Sequence, residues 1–248
     1  MNNAVLASKA PLLFHKTITH HGAGGSSSIW FKQLKEYKKH FNLLFVDLRG
    51  HGKSSSVTLK EIITKGYTFN DVSTDIIKVL DHLKITGAHF VGISLGTILI
   101  QKLAEIAPAR VKTMVLGGAV TRFKHVMPYM WLYRLFAYVL MPQKGQVESR
   151  HMFINDARKL CQKEFKRWFK LASDVNPLMK FYKENDIKHP TLYLMGQNDY
   201  MFLRPVKEMV EHHKQSRLTE LEDCGHVCNV EKPLEFNQHS IDFIKQYS

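Results

Sequence analysis

The sequence predicts an α/β fold in which a mainly parallel β-sheet is covered by helices on both faces. Short apolar runs alternate along the chain with amphipathic helical stretches, and this alternation is typical of such a sheet. A chain of 248 residues with 44% hydrophobic composition can bury one sizeable core, so we expect a single domain over residues 1–248. The predicted strands lie near residues 16–20, 42–47, 88–93, 112–118, 190–196 and 217–222, and the predicted helices near residues 28–39, 71–84, 95–107, 204–213 and 232–246.

The first predicted strand leads into a glycine-rich turn at residues 21–27 (HGAGGSS), and a helix is predicted to begin near Ser27 or Ser28. The glycines allow the backbone of the turn to approach a bound group closely. Taken alone, the turn indicates only a helix N-cap or a weak phosphate loop. It lacks the G-K-[ST] ending of a P-loop and the spacing of a dinucleotide-binding turn.

Residues 92–96 (GISLG) form a G-x-S-x-G pattern that follows an apolar strand and precedes a helical stretch at residues 97–107. A serine at such a sharp turn takes a strained backbone with positive φ, which lifts its Oγ above the sheet edge. A chance occurrence in a loop is the alternative, but the strand and helix context favours Ser94 as a nucleophile. The predicted donors to an oxyanion are the backbone N–H groups of Ala23 and Leu95.

The alternation of strands and helices breaks after residue 118, and we predict a helical cap over residues 119–189, inserted above the active site. Residues 128–142 within it are apolar apart from Arg134. We expect this segment to line an apolar acyl pocket. The predicted substrate-binding residues are Met130, Trp131 and Phe136.

The cap is strongly basic: fourteen Lys and Arg against six Asp and Glu give it +8 of the chain's net +13. Residues 163–171 (KEFKRWFKL) interleave aromatic and cationic side chains. Ordinary cap helices with their charges on a solvated face explain this pattern. The functional alternative is a cap whose outer face contacts an anionic membrane. We expect no nucleic-acid partner, because the chain contains no recognised nucleic-acid-binding module.

A serine nucleophile needs a base, and the base needs a carboxylate that orients it; in G-x-S-x-G sites the chain order is Ser, Asp or Glu, then His. Residues 191–196 have the pattern of a buried strand, so Asp199 lies just past its carboxyl end. Residues 217–222 alternate as a strand, and His226 follows on the next loop, before Pro233 opens the last helix. We therefore predict Asp199 as the acid and His226 as the base.

Two other carboxylates, those of Asp186 and Asp223, are alternatives for the acid. Asp223 is the stronger of the two, but a residue three positions before the histidine would have to fold back on its own loop. Cys224 and Cys228 flank His226 and invite a metal-site interpretation. No fourth ligand has suitable spacing, so we predict no metal and no organic cofactor.

Five motifs in the chain together resemble the α/β-hydrolase superfamily, over nearly its whole length. They are HGAGGSSSIW at 21–30, VDLRGHGKS at 46–54, VGISLGT at 91–97, LYLMGQNDYMF at 192–202 and CGHVCNVEKP at 224–233. The most similar group is the single-domain serine hydrolases of the esterase, lipase and C–C-hydrolase type. The resemblance implies a catalytic triad of Ser94, Asp199 and His226, with Ala23 and Leu95 as oxyanion donors. It also implies that the loop containing His51 is structural.

We expect an enzyme that cleaves carboxylic esters with an apolar acyl chain through an acyl-enzyme on Ser94. Thioesterases and C–C-bond hydrolases or lyases use the same triad and remain alternatives. A ligand-sensing signalling protein on the same fold is the alternative from a different class. Relatives that dehalogenate or open epoxides carry Asp at the nucleophile position, so Ser94 argues against those reactions.

The sequence indicates a cytoplasmic location, with peripheral membrane contact through the cap. The first residues (MNNAVLASKAP) lack the pattern of a signal peptide, and no apolar run reaches the eighteen or so residues that span a bilayer. The three cysteines are an odd number, which is consistent with a reducing compartment.

Overall fold

The computed structural model describes residues 6–7, 15–54, 68–121, 137–138, 141, 146–159, 167–168, 170–171 and 175–248. Its strands are β1 (Leu6–Ala7), β2 (His15–His20), β3 (Phe41–Val46), β4 (Ala88–Ile93), β5 (Val111–Gly117), β6 (Thr191–Gly196) and β7 (Ser216–Leu221). Its α-helices are α1 (Phe31–Tyr37), α2 (Phe69–His82), α3 (Leu95–Ile106), α4 (Val147–Lys159), α5 (Asn176–Glu184), α6 (Leu203–Val210), α7 (Cys228–Glu231) and α8 (Pro233–Gln246).

The described strands form one sheet in the order β1-β3-β2-β4-β5-β6-β7. β1 runs antiparallel to β3, and all the other pairs are parallel, so the predicted mainly parallel sheet is confirmed. The six longer strands match the six predicted ones, whereas β1 was not predicted. The parallel pairing brings the carboxyl ends of β4, β5, β6 and β7 to one edge, where ligands bind in open α/β sheets.

Both faces of the sheet are buried against helices, as predicted for a doubly covered sheet. Alternate residues of β4 belong to two separate hydrophobic clusters: Phe90 to the first, Val91 and Ile93 to the second. The first cluster includes apolar residues of α2 and α3, and the second includes those of α1 and α8.

Local contacts set the helix starts: those of α1 and α2 differ from the predicted ones, whereas that of α8 agrees with the prediction. α2 begins at Phe69 because Thr68 and Asp71 form a reciprocal capping box with the backbone. α1 begins at Phe31 because Ser27–Trp30 forms a 3₁₀ turn first. Pro233, which opens α8, lacks an N–H and therefore suits the first position of a helix.

The described residues between β5 and β6 include two helices, α4 and α5, and contain no strand. Side chains from this insertion bond to the rest of the protein: the Tyr182 hydroxyl donates to the carbonyl of Gln101 at 2.6 Å, and the Trp168 indole N–H donates to the carbonyl of Arg49 at 3.0 Å. Within the described part of the chain, no helix is both long and apolar enough to cross a bilayer.

Candidate active site

Ser94 lies at the turn between β4 and α3, with φ of 53° and ψ of −117°. This is the positive-φ conformation that the G-x-S-x-G pattern predicts. A Cβ on Gly96 would overlap the carbonyl oxygen of His20, and a Cβ on Gly92 would come within 2.9 Å of the Gly96 carbonyl carbon. Both glycines of the motif are therefore required by close packing around the serine.

The three residues predicted as a triad are in hydrogen-bond contact. His226 Nδ1 lies 2.8 Å from Asp199 Oδ2, and His226 Nε2 lies 3.0 Å from Ser94 Oγ. The carboxylate can only accept, so Nδ1 carries the proton and the unprotonated Nε2 faces the serine hydroxyl. Asp199 is 3% exposed and His226 is 1% exposed, whereas Ser94 is only partly buried. This geometry is that of a serine activated by a neighbouring base.

The alternative carboxylates point elsewhere. Asp223 is exposed and has a φ of 46°. Asp186 Oδ1 lies 3.2 Å from Nδ1 of His213, the ring nitrogen that accepts the Ile187 N–H, and not against His226. Of the three candidate acids, Asp199 is the one placed against His226.

The glycine-rich turn lies against the nucleophile. Its chain reverses through a hydrogen bond from the Gly25 N–H to the Gly22 carbonyl at 3.1 Å. Ala23 lines the same cavity as Ser94. Leu95 is the first residue of α3, and an N–H at this position has no acceptor within its own helix. Both positions fit the predicted oxyanion donors, a role that stays a prediction.

Two buried histidines hold this turn, a function that sequence analysis did not identify. The Gly24 N–H donates to His51 Nε2 at 3.2 Å, while the other ring nitrogen of His51 lies 3.1 Å from the Arg49 carbonyl. His21 Nε2 accepts from the Leu48 N–H at 3.0 Å. Each ring uses a lone pair as an acceptor, so each must be neutral. The two histidines lie in the first two family motifs, which is the available sequence signal.

Burial keeps these rings uncharged. It lowers the pKa of His51 well below its ordinary value, with the neighbouring His21 adding to the shift, and it also lowers the pKa of His21. In His20, burial and, after it, the neighbouring His21 lower the pKa to about 3. In the unfolded chain the same rings titrate near 6.5.

We therefore expect acid to destabilise the protein. Below the unfolded pKa of 6.5, the unfolded state binds protons that the native His20, His21 and His51 do not bind. The free energy of unfolding therefore decreases as the pH is lowered. A histidine whose native pKa lies far below this range, as that of His20 does, lowers the free energy of unfolding by about 1.4 kcal/mol for each pH unit below 6.5. Urea unfolding at about pH 7.5 and about pH 5.5 measures the slope. His20→Leu should make the dependence of the free energy of unfolding on pH shallower. Equal stability of the wild type at the two pH values would contradict the conclusion that these histidines are neutral in the native state.

Ser94 and His226 open onto a cavity that encloses about 540 Å³ of atom-free space, part of it continuous with solvent. Most of its described lining is apolar, as in pockets for small organic ligands. The apolar residues include Ile29, Ile93, Met141, Met152, Phe153 and Val230. Three of these come from the insertion between β5 and β6. Met130, Trp131 and Phe136, which were predicted to bind substrate, lie outside the described residues.

Asp156 on α4 brings a carboxylate to the wall of this cavity. Its Oδ2 accepts hydrogen bonds from the hydroxyls of Ser26 (3.1 Å) and Ser28 (3.0 Å), and its Oδ1 pairs with Lys159 at 2.8 Å. These bonds attach α4 to the end of the glycine-rich turn, at Ser26, and to Ser28 just after it. Among the described lining residues, Asp156 is the only acidic one, and none is Lys or Arg.

The described residues contain no cluster of three or more His, Cys, Asp or Glu side chains that could hold a metal ion. Near the triad, both ring nitrogens of His226 are engaged by Asp199 and Ser94. Burial raises the pKa of the Cys224 and Cys228 thiols, so both stay protonated and apolar in character.

Comparison with known proteins places this fold in one family. A family model described as alpha/beta hydrolase fold matches residues 18–145, more than half of the chain. The chain is 23% identical over 255 residues to 3-oxoadipate enol-lactonase 2 of Acinetobacter baylyi, covering 96% of this chain and 89% of the relative. The protein therefore belongs to the α/β-hydrolase family.

Solved structures of the same fold superpose over almost the whole chain. The enol-lactonase from Burkholderia xenovorans matches with a TM-score of 0.80 and 22% identity, covering 98% of this chain and 96% of the other. A meta-cleavage product hydrolase from Pseudomonas fluorescens matches with a TM-score of 0.79 and 21% identity, covering 94% and 92%. At these identities, the likeness establishes the fold.

Proposed function

We propose that the protein is a serine hydrolase that cleaves neutral carboxylic esters with an apolar acyl chain through an acyl-enzyme on Ser94. The observation that carries this proposal is the continuous contact from Asp199 through His226 to the Ser94 hydroxyl, at the wall of an apolar cavity. The enol-lactonase relative supports the reaction class, since a lactone is a cyclic ester.

In the first half-reaction, His226 Nε2 takes the proton of the Ser94 hydroxyl as Oγ attacks the ester carbonyl carbon. The carbonyl π pair moves onto oxygen, and the N–H groups of Ala23 and Leu95 stabilise this oxyanion. Asp199 stabilises the imidazolium and keeps its ring oriented. When the oxyanion collapses, the C–O bond to the alcohol breaks and His226 gives its proton to the departing oxygen.

In the second half-reaction, a water molecule replaces the alcohol and follows the same route. His226 removes a proton from the water, whose oxygen attacks the acyl carbon. Collapse of the second tetrahedral intermediate breaks the bond to Ser94 Oγ, which recovers the proton from His226. The products are the alcohol and the carboxylic acid.

The cavity favours neutral substrates over anionic ones. Burying an acyl chain against the apolar lining stabilises the complex by about 0.8 kcal/mol per methylene. A free carboxylate on the acyl chain would lose its hydration against the apolar lining and would lie near the Asp156 carboxylate, which already has Lys159 as its own partner. An enol-lactone of a dicarboxylic acid retains such a carboxylate, so we expect this protein to differ in substrate from the enol-lactonase relative.

Turnover of a series of p-nitrophenyl esters tests this function. We expect kcat/KM to rise by up to about fourfold per carbon over the first several acyl carbons, because each methylene leaves water for the apolar wall. A half-ester of the same length with a terminal carboxylate should react more slowly. A flat profile, or a preference for the carboxylate, would contradict the substrate class. If the protein turns over matched thioesters but not esters, it is a thioesterase. If it turns over a vinylogous diketone but not esters, it is a C–C hydrolase. If it turns over none of these substrates, the result favours a ligand-sensing role.

Two further expectations belong to this proposal. Residues 1–248 act as one domain, with the cap over residues 119–189 covering Ser94. The basic surface of this cap contacts an anionic membrane. The cap's charge of +8, out of the chain's net +13, supports this expectation.

A further inference from the structure

His226 sits on the loop over residues 222–227, between β7 and α7. The Asp199 carboxylate fixes one ring nitrogen, but a single side-chain contact does not fix the backbone that carries the ring. A shift of about 1 Å at a catalytic group can cost on the order of 100-fold in rate. The contacts that hold the backbone on each side of His226 therefore bear directly on catalysis.

The Glu231 carboxylate binds this loop on both sides of the histidine. Its Oε2 accepts from the Gly225 N–H at 2.8 Å, and its Oε1 accepts from the Val227 N–H at 3.0 Å. The two oxygens of one side chain thus bind the N–H groups immediately before and immediately after His226. Hydrogen bonds to an ionised acceptor are stronger than neutral ones, and two of them from one rigid group also fix orientation.

The other side of the loop packs against the sheet. The Asn198 N–H donates to the Cys224 carbonyl at 2.8 Å. A Cβ on Gly118 would overlap the carbonyl oxygen of His226, and a Cβ on Gly196 would overlap that of Gly225. The strand ends thus contact the carbonyl groups of the loop while Glu231 holds its N–H groups, so the backbone at His226 is restrained from two directions.

Glu231 also connects the loop to the insertion that covers the site. The Gln146 side-chain amide, next to the start of α4, donates to Glu231 Oε2 at 3.2 Å. A Cβ on Gly225 would overlap this amide. The same carboxylate oxygen therefore contacts both the histidine loop and the segment that leads into a helix of the cavity wall.

We propose that Glu231 is a positioning residue for His226: by binding the N–H groups of Gly225 and Val227, it fixes the loop that presents the imidazole to Ser94. This role rests on the proposed function for its catalytic readout. The bonds themselves can be measured without any substrate.

The test compares Glu231→Ala, Glu231→Gln and Glu235→Ala. Alanine removes both acceptors, whereas glutamine keeps one acceptor oxygen and the size of the side chain. Glu235 is exposed in the first turn of α8, so its replacement removes the same charge nearby without touching the loop. Amide hydrogen exchange at Gly225 and Val227 is the first readout, with Ser94, whose N–H bonds to the Gly117 carbonyl, as the internal reference.

We expect Glu231→Ala to speed exchange at Gly225 and Val227 but not at Ser94, and to lower kcat and the rate of fluorophosphonate labelling by about 10- to 100-fold with little change in KM. For Glu231→Gln, the exchange rates, kcat and labelling rate should lie between those of Glu231→Ala and those of the wild type. For Glu235→Ala, all of them should match the wild type. Unchanged exchange in Glu231→Ala, or faster exchange with undiminished labelling, would overturn the proposal. A wild-type protein that neither turns over esters nor reacts with the probe would count against the proposed function instead, and the exchange result would still decide whether Glu231 holds the loop.

Discussion

Replacement of Ser94 by alanine is expected to lower ester turnover by about 10⁴-fold or more, because the acyl-enzyme can no longer form. The fold should be unaffected, since alanine keeps the Cβ that already tolerates a φ of 53° at this turn. Steady-state hydrolysis of the preferred p-nitrophenyl ester measures the effect.

Ser216→Ala is the matched control for this variant. Ser216 begins β7, and its hydroxyl has no hydrogen-bond partner among the described residues. It lies away from the cavity wall, so turnover should stay close to that of the wild type. Substantial turnover in Ser94→Ala, with its unfolding curve unchanged, would exclude Ser94 as the nucleophile.

Asp199→Asn is expected to lower kcat by about 10⁴-fold while leaving the protein folded. The amide is nearly isosteric, but it can present an N–H to Nδ1, which favours the tautomer whose proton lies on Nε2, facing Ser94. It also removes the negative charge that stabilises the imidazolium at a position only 3% exposed.

Asp223→Asn provides the comparison, because it makes the same chemical change at the rival carboxylate. Asp223 is exposed and has positive φ, a conformation that asparagine tolerates well, so both stability and turnover should be preserved. If Asp223→Asn lost most of its turnover while Asp199→Asn lost little, Asp223 and not Asp199 would be the acid of the triad.

The sequence predicted the strand ends and hence the meeting of Ser94, Asp199 and His226. This succeeded because buried parallel strands are short continuous apolar runs, and because parallel strands align their carboxyl ends. Residues more than a hundred positions apart could then be placed at one edge without knowing any side-chain contact. The positive φ at Ser94 followed from the motif alone.

Other features depend on contacts that no local pattern encodes. β1 has two residues, too few for a periodicity, and it forms only by pairing with β3. The hydrogen bonds between Asp156 and the hydroxyls of Ser26 and Ser28 join residues about 130 positions apart. In the sequence, nothing distinguishes Asp156 from an ordinary polar residue of a helix. Such pairings arise only when the insertion is placed over the sheet.

The histidines that hold the glycine-rich turn illustrate a different limit. The family resemblance marks the loop of His51 as structural, but it does not reveal that the ring accepts the Gly24 N–H. That role depends on which ring nitrogen of His51 carries the proton, and therefore on the hydrogen-bond partner of the protonated nitrogen. A sequence pattern specifies neither the proton's position nor this partner.

Peptide mass spectrometry after reaction with a fluorophosphonate probe tests the central claim most directly, because the probe bonds only to a serine activated by a neighbouring base. We predict a single adduct on the peptide that contains Ser94, its absence in Ser94→Ala, and loss of ester turnover in proportion to labelling. An adduct on a different serine, or undiminished turnover after complete labelling, would contradict the assignment of Ser94, His226 and Asp199 as the catalytic residues.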